Sequence, residues 1–324
     1  MKLPLDLEQV IESELANYPL RDIAKVANQL CKRYRDGYIE PEQTFIKSSA
    51  DVIAYTAYRF PATYAAISSC LSEIQARRLD WEPKTVLDVG SGPGTSAWVV
   101  KFIWPNLECI TLLEHDKNML HLAKKLFKQN DSSFIQKIVW KETNLISQWE
   151  CQNHDFVIAA YILGELPTSK HQTFIEKLWS HTNDTLLIIE PGNPRGASFI
   201  RNVRDQLIQE GANIIAPCPH IQSCPAFGDD WCHFSQRIER TWFQRIVKRG
   251  FRPYADEKFS YIAASRHQGT AIKSRIVKQP KIRKGHVLIK ICETNGTLKD
   301  IVVTKKEGNF YRHVHNLNRG SALT

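Results

Sequence analysis

The stretch APCPHIQSCPAFGDDWCHF, residues 216–234, sets Cys218, Cys224 and Cys232 beside His220 and His233. Thiolates and imidazoles held this closely are metal ligands by type, since soft sulfur donors select zinc or iron–sulfur clusters. The gaps of five and seven residues between the cysteines are wider than the two-to-four-residue spacing of most zinc modules. Cys218 and Cys224 each precede a proline. That pairing recurs beside iron–sulfur ligands, and such clusters take four thiolates. Cys292, in VLIKICETNG, is the candidate for the fourth. His220 or His233 in that role would instead suit zinc. The plain alternative is a set of free thiols, but clustering brings exposed thiols no advantage in a reducing cell. Cys31, Cys70, Cys109 and Cys151 are scattered and read as small apolar residues.

A second group is VLDVGSGPGTSAW, with Asp88, Gly90, Gly92 and Gly94 between an apolar run and a helical pattern. Glycines allow a sharp turn and a close backbone approach to a ligand. A pyrophosphate would favour the positive end of a helix. S-adenosylmethionine carries a sulfonium and an amino group instead, and the acid at 88 suits it better. Glu114 ends the next apolar run, where an acid gripping ribose hydroxyls is expected. Asn144, after the third run, is placed near the adenine. Methyl transfer needs positioning and, for poor nucleophiles, a base. Tyr161, Glu165 and Glu190 are the residues considered for that work. No catalytic constellation emerges from them, and the catalytic residue is left unassigned.

The elements that must hold these groups follow from periodicity. Residues 1–82 read as helices, with Leu7, Val10, Ile11 and Leu15 at helical spacing. Asp51 is expected to cap one helix and Pro61 to open the next. From 83 to 266, apolar runs alternate with helical patterns, which argues a parallel sheet covered on both faces. The run FSQRIERTWFQRIVKRG fits either strand or helix. With the glycine loop, this order looks like the class I S-adenosylmethionine-dependent methyltransferase fold, a Rossmann-like α/β architecture. It would carry a Cys-rich metal-binding insertion at 212–240. Residues 267–324 change to β-branched alternation with turns at Lys284-Gly285 and Asn295-Gly296, and read as a small β domain. A metal held by Cys218, Cys224, Cys232 and Cys292 would tie that domain to the methyltransferase-like core.

The chain has 324 residues and a formal net charge of +9. From Ala271 onward there are 12 Lys or Arg and 3 acids, so the whole excess lies there. A localised basic surface suits a polyanion, and nucleic acid is the expected partner. Lys281, Arg283, Lys284, Lys305, Lys306 and Arg312 are the residues chosen to meet it. The N-terminal residues carry acids and lack a secretory or transit pattern, and no apolar run is long enough for a membrane span. The expectation is a cytoplasmic monomer without a membrane partner.

Several segments together resemble the methyltransferase-like assembly factors of the mitochondrial small ribosomal subunit and their bacterial relatives. They are RFPATYAA (59–66), VLDVGSGPGT (86–95), YILGEL (161–166), EPGNPRG (190–196), the APCPH and WCHFSQRIER segments within 216–240, DEKFSYIAASR (256–266) and GHVLIKIC with VVTKKEG within 285–308. The resemblance implies a 4Fe–4S cluster on Cys218, Cys224, Cys232 and Cys292. It also implies binding to small-subunit ribosomal RNA and retained S-adenosylmethionine binding. The family's basic tail is reduced here to YRHVHNLNRGSALT, which keeps only Tyr311 and Arg312 of its pattern. The expected function is a ribosomal-RNA-binding assembly factor with a structural cluster. An active S-adenosylmethionine-dependent rRNA methyltransferase shares every motif with it and differs only by the catalytic residue.

Overall fold

The structure is a computed structural model and describes residues 1–36, 45–129, 132–147, 149–226, 231–248 and 252–323. Four helices lead: α1 (Leu5–Leu15), α2 (Leu20–Asp36), α3 (Ser49–Tyr58) and α4 (Phe60–Arg77). On α1 the apolar residues at 7, 10, 11 and 15 are all buried, as their spacing requires. The cap of α3 is Ser48, not Asp51: the Ser48 side chain accepts the Asp51 N–H at 3.2 Å. Asp51 instead pairs with Arg33 and takes the Lys47 N–H at 2.9 Å. Pro61 sits in the first turn of α4, where a missing N–H costs no helical hydrogen bond.

Strands and helices then alternate: β1 (Thr85–Val89), α5 (Thr95–Ile103), β2 (Cys109–Glu114), α6 (Lys117–Lys128), the short α7 (Ser132–Ile135), β3 (Ile138–Glu142), β4 (His154–Ala160), α8 (His171–Ser180), β5 (Thr182–Pro191), α9 (Pro194–Gln209) and β6 (Asn213–Ala216). The ambiguous run at 234 onward is both elements in turn, β7 (Phe234–Glu239) and then α10 (Trp242–Lys248). The long β8 (Tyr254–Ser265) follows. The strand order is β3-β2-β1-β4-β5-β8-β6, with β7 beside β8. β1 runs parallel to β2 and β4, and β2 parallel to β3, while β6 and β8 are antiparallel. Val86, Leu87 and Val89 are fully buried, as strands covered on both faces should be. A central run of parallel strands in the order 3-2-1-4, alternating with helices and ending at a reversed strand, is the class I methyltransferase architecture. Because β1 and β2 are parallel and in register, Asp88 pairs with Leu112 and Val89 with Leu113. Asp88 and Glu114 therefore arrive at the same carboxyl edge, where such sheets bind ligands.

The last segment folds into β9 (Ser274–Ile276), β10 (Lys281–Arg283), β11 (His286–Glu293), β12 (Leu298–Thr304), α11 (Asn309–His315) and β13 (Ala322–Leu323). Their sheet has the order β10-β11-β9-β13, with β12 on β11. Val287, Ile289 and Ile291 of β11 pack with Ile276, Val303, Val314 and Leu323 in one small core. The expected turns are present, with Gly285 and Gly296 at φ +88° and +82°. By Cα proximity the chain forms two compact units built from interleaved segments. Unit 1 contains residues 1–69, 82–188 and 236–257; unit 2 contains 70–81, 189–235 and 258–324.

Candidate cofactor and metal sites

In unit 1 the glycine loop bridges β1 and α5. Gly90, Gly92 and Gly94 have φ of +76°, +54° and +77°, a region that L side chains rarely adopt. A Cβ on Gly90 would meet Ile162 Cδ1 at 2.9 Å, whereas Gly92 has open space. The loop hangs from β2, with the Gly90 and Ser91 N–H groups donating to Leu113 O at 2.9 and 3.0 Å. Asp88 is 2 % exposed. Its carboxylate accepts from the Ser96 hydroxyl. Burial pushes its pKa up to about 7, the Ser96 bond opposes that, and the charge of Glu114 adds to it. Ser91 Oγ is buried without a hydrogen-bond partner.

Glu114 braces the loop. Its carboxylate accepts the N–H groups of Gly92 at 2.7 Å, His115 at 2.7 Å and Asp116 at 2.8 Å. Burial raises its pKa against those bonds. Asn144 lies exposed after β3 and uses its side-chain oxygen on the Ile146 N–H at 3.0 Å. Glu165 meets solvent on one side and accepts from the Tyr34 hydroxyl at 3.1 Å. The surrounding protein lifts its pKa to about 8, with Glu114 adding to the effect. Tyr161, just past β4, is the only non-glycine residue with positive φ among the described residues, at +62°. Its hydroxyl donates to Glu257 Oε1 at 2.9 Å, and the Arg59 guanidinium lies 5.0 Å from its ring centre while pairing with the same Glu257. Sequence periodicity gives no hint of this Arg59–Glu257–Tyr161 triad, whose members are remote along the chain. Glu190 is buried in β5 and belongs to unit 2, not to this group. The charge of Glu114 adds to the raised pKa of both Asp88 and Glu165, and the space beside Gly92 is open.

All four sequence-selected thiols fall in unit 2. Cys218 follows β6, Cys224 lies on the loop, Cys232 precedes β7, and Cys292 is on β11. The four line one cavity of about 60 Å³ with mostly apolar walls. Burial and the neighbouring thiols push Cys292 up to about 12 and Cys232 higher still, and burial chiefly raises Cys218. Cys292 points away from the small core of its own sheet: Ile291 faces that core, and the next side chain on a strand takes the opposite face. His220 Nε2 stands 3.2 Å from Cys292 Sγ. His233 lies buried against Arg319, and burial first, then that cation, depress it to about 4. Among the described residues no group of three or more His, Cys, Asp or Glu is close enough together to hold a metal ion as placed. Cys218, Cys224, Cys232 and Cys292 nonetheless line the same cavity, and thiols are by type ligands of thiophilic metals once ionised.

Two cations that the sequence analysis missed share this cavity. Arg204 of α9 and Arg275 of β9 both line it and are 3 % and 1 % exposed. The signal for Arg204 was present: it falls inside the apolar stripe Ile200, Val203, Leu207, where a solvated cation has no place. Arg275 lies within the basic C-terminal segment, where its sequence context gives no sign of burial. The six basic residues chosen for a polyanion are all exposed. Lys305 N–H donates to Gly285 O at 3.0 Å, which brings the Lys284 turn beside Lys305 and Lys306. No helix among the described residues is long and apolar enough to cross a membrane.

Among known proteins, the human "Ribosome assembly protein METTL17, mitochondrial" (Homo sapiens) is 29 % identical over 288 residues, which is 82 % of this chain and 59 % of that protein. "Rsm22-cox11 tandem protein 2, mitochondrial" of Schizosaccharomyces pombe is 24 % identical over 333 aligned residues, covering 87 % of this chain and 43 % of that protein. This chain therefore spans less than two thirds of either relative. A solved magnesium protoporphyrin IX methyltransferase from Synechocystis PCC 6803 superposes with a TM-score of 0.42 at 14 % identity, over 76 % of this chain and 97 % of that one. The family described as "Mitochondrial small ribosomal subunit Rsm22" matches residues 49–324. That span takes in the glycine loop, all four thiols and the whole basic sheet, and the chain belongs to the Rsm22 family.

Proposed function

We propose that the chain is a small-ribosomal-subunit assembly factor. Unit 1 binds S-adenosylmethionine, unit 2 holds a structural 4Fe–4S cluster on Cys218, Cys224, Cys232 and Cys292, and the exposed basic residues bind small-subunit ribosomal RNA. The protein acts in the cytoplasm as a monomer and needs no membrane. The observation that carries this reading is that Cys292, remote along the chain, lines one cavity with Cys218, Cys224 and Cys232. A cluster bound there would join β11 to the loop between β6 and β7. The cavity volume supports a group of several atoms over a single zinc ion. For the methyl donor, the support is the buried Asp88, the unpartnered Ser91 Oγ and the room beside Gly92. Asp88 would face the donor's positive charge, and Glu114 would hold the loop while offering its remaining lone pairs to ribose hydroxyls. Asn144 is assigned to the adenine end. For RNA, the support is the exposed group formed by Lys281, Arg283, Lys284, Lys305, Lys306 and Arg312.

The decisive test is the absorption spectrum of protein purified without oxygen. A broad visible band with about four iron per chain, lost in Cys218→Ser, is expected; colourless protein carrying zinc would overturn the cluster. Ribosomal RNA binding should weaken steeply with salt. A second reading, an active rRNA methyltransferase, uses the same glycine loop and would need a base such as Glu165. Methylation mapped across small-subunit RNA in a deletion strain separates the two. A missing mark restored by wild type and not by Asp88→Ala establishes the enzyme. Unchanged marks with accumulated immature subunits establish the assembly factor.

A further inference from the structure

We propose that Arg204 and Arg275 are positioning residues for the centre held by the four thiols, and that their buried charges set its electron affinity. The inference rests on the cluster proposed above. Arg275 stands directly across from Cys292 in the β9–β11 pairing, so the two side chains leave the same face of the sheet. Its Nε donates to Pro217 O at 2.8 Å, and its Nη1 to Glu73 Oε2 at 2.8 Å and Gly320 O at 2.6 Å. Arg204 approaches from α9. Its Nη2 donates to His220 O at 3.0 Å and Gln222 O at 2.6 Å, and its Nη1 to Asp205 Oδ1 at 2.8 Å. These bonds grip the backbone on both sides of Cys218.

The loop bonds do not use either guanidinium fully. Arg204 Nε and Arg275 Nη2 are buried with no hydrogen-bond partner. Unsatisfied buried donors are uncommon and call for an acceptor. A guanidinium cannot escape by losing its proton. The carboxylates that do pair with these residues, Asp205 and Glu73, are themselves 49 % and 30 % exposed and spend their charge partly on solvent. What remains in reach is sulfur. Four thiolates around a dicationic centre carry a net charge of minus two, and two guanidinia match it. One further electron makes that charge minus three, which a cationic wall favours. Removing one guanidinium should therefore disfavour the reduced form, through hydrogen bonding and charge close to the sulfurs.

The test uses the full chain purified without oxygen, as wild type and as Arg204→Lys, Arg204→Gln, Arg275→Lys and Arg275→Gln. Iron per chain is measured first. A dithionite titration with mediators, read from the visible absorption, then gives the reduced-to-oxidised ratio at a fixed potential. At the wild-type midpoint, the Gln variants should show that ratio at least about tenfold lower, a shift of about 59 mV for one electron. The Lys variants keep the charge and should stay within about threefold of wild type. Gln variants that retain iron and titrate as wild type does would overturn the proposal, leaving the arginines as loop braces. If the Gln variants lose iron, the Lys variants decide: equal loss in both shows that fork geometry, not charge, is what matters, and also overturns it. A wild type that holds zinc or no metal rejects the cluster itself, and this inference falls with it for that separate reason.

Discussion

The glycine-loop site of unit 1 collects carboxyls, while the thiol cavity of unit 2 collects sulfurs and buried guanidinia. Each thus presents fixed groups of the sign opposite to its proposed occupant. The difference lies in what each site can do when empty. Asp88 and Glu114 can take up protons, and burial already pushes their pKa values that way. Burial likewise favours the neutral form of Cys218, Cys232 and Cys292. Arg204 and Arg275 have no such recourse, and their unpartnered nitrogens remain a cost to the fold. Unit 2 should therefore depend on its occupant for stability far more than unit 1 does.

The most severe way to break that contrast is Cys292→Ser. Structural metal centres contribute on the order of 10 kcal/mol to folding, comparable to the whole stability of a domain. Hydrogen exchange should show protection lost across residues 189–235 and 258–323 and kept across β1–β4. Equal loss in both units would remove the distinction. Next in size is Asp88→Asn. Removing one charge-assisted contact to the methyl donor costs about 2 kcal/mol, or about thirtyfold in Kd by calorimetry, with iron content unchanged.

The pH dependence of the same carboxyl gives a smaller effect with a definite sign. Its folded pKa is raised from 3.8 to about 7. Protonation is thus favoured in the fold. The stabilisation this brings is fully present below pH 3.8 and is lost as pH rises through 7. Melting of the ligand-free chain between about pH 5 and pH 8 should show unit 1 weakening, and Asp88→Asn should flatten that slope. S-adenosylmethionine affinity should rise over the same interval, with release of a proton as Asp88 ionises against the sulfonium. The smallest effect is expected at the RNA surface. Lys305→Gln with Lys306→Gln should lower the slope of log affinity against log salt by roughly one per charge removed, and leave both cofactor sites untouched.

Elements with strong periodicity were readable in advance, because an apolar stripe at spacing 3.6 or a continuous apolar run has few other uses. The ends of β1 and β2 were among them, whereas the register that brings Asp88 and Glu114 to one edge is seen only in the structure. The four thiols were also readable, three from local density and Cys292 from the resemblance as well as from its strand. Roles that depend on a single hydrogen bond were not. Asp51 and Ser48 are both good capping residues, and only backbone geometry decides between them. Glu114 was expected to face a ribose, and it already accepts three loop N–H groups that no composition argument could count. Arg275 illustrates the limit of charge counting: it lies in the most basic segment of the chain, yet it faces inward among sulfurs.

The position of Cys292 bears on how the protein is made. Roughly 70 residues separate it from Cys218, and a ribosome adding about 5–20 residues per second needs several seconds to cover that distance. From Cys232 onward the nascent chain displays the three thiols of that loop without Cys292. Under the proposed function, oxidation or capture of the wrong ion would then be a hazard of synthesis itself, and insertion of the proposed cluster would have to wait until nearly the whole polypeptide has emerged.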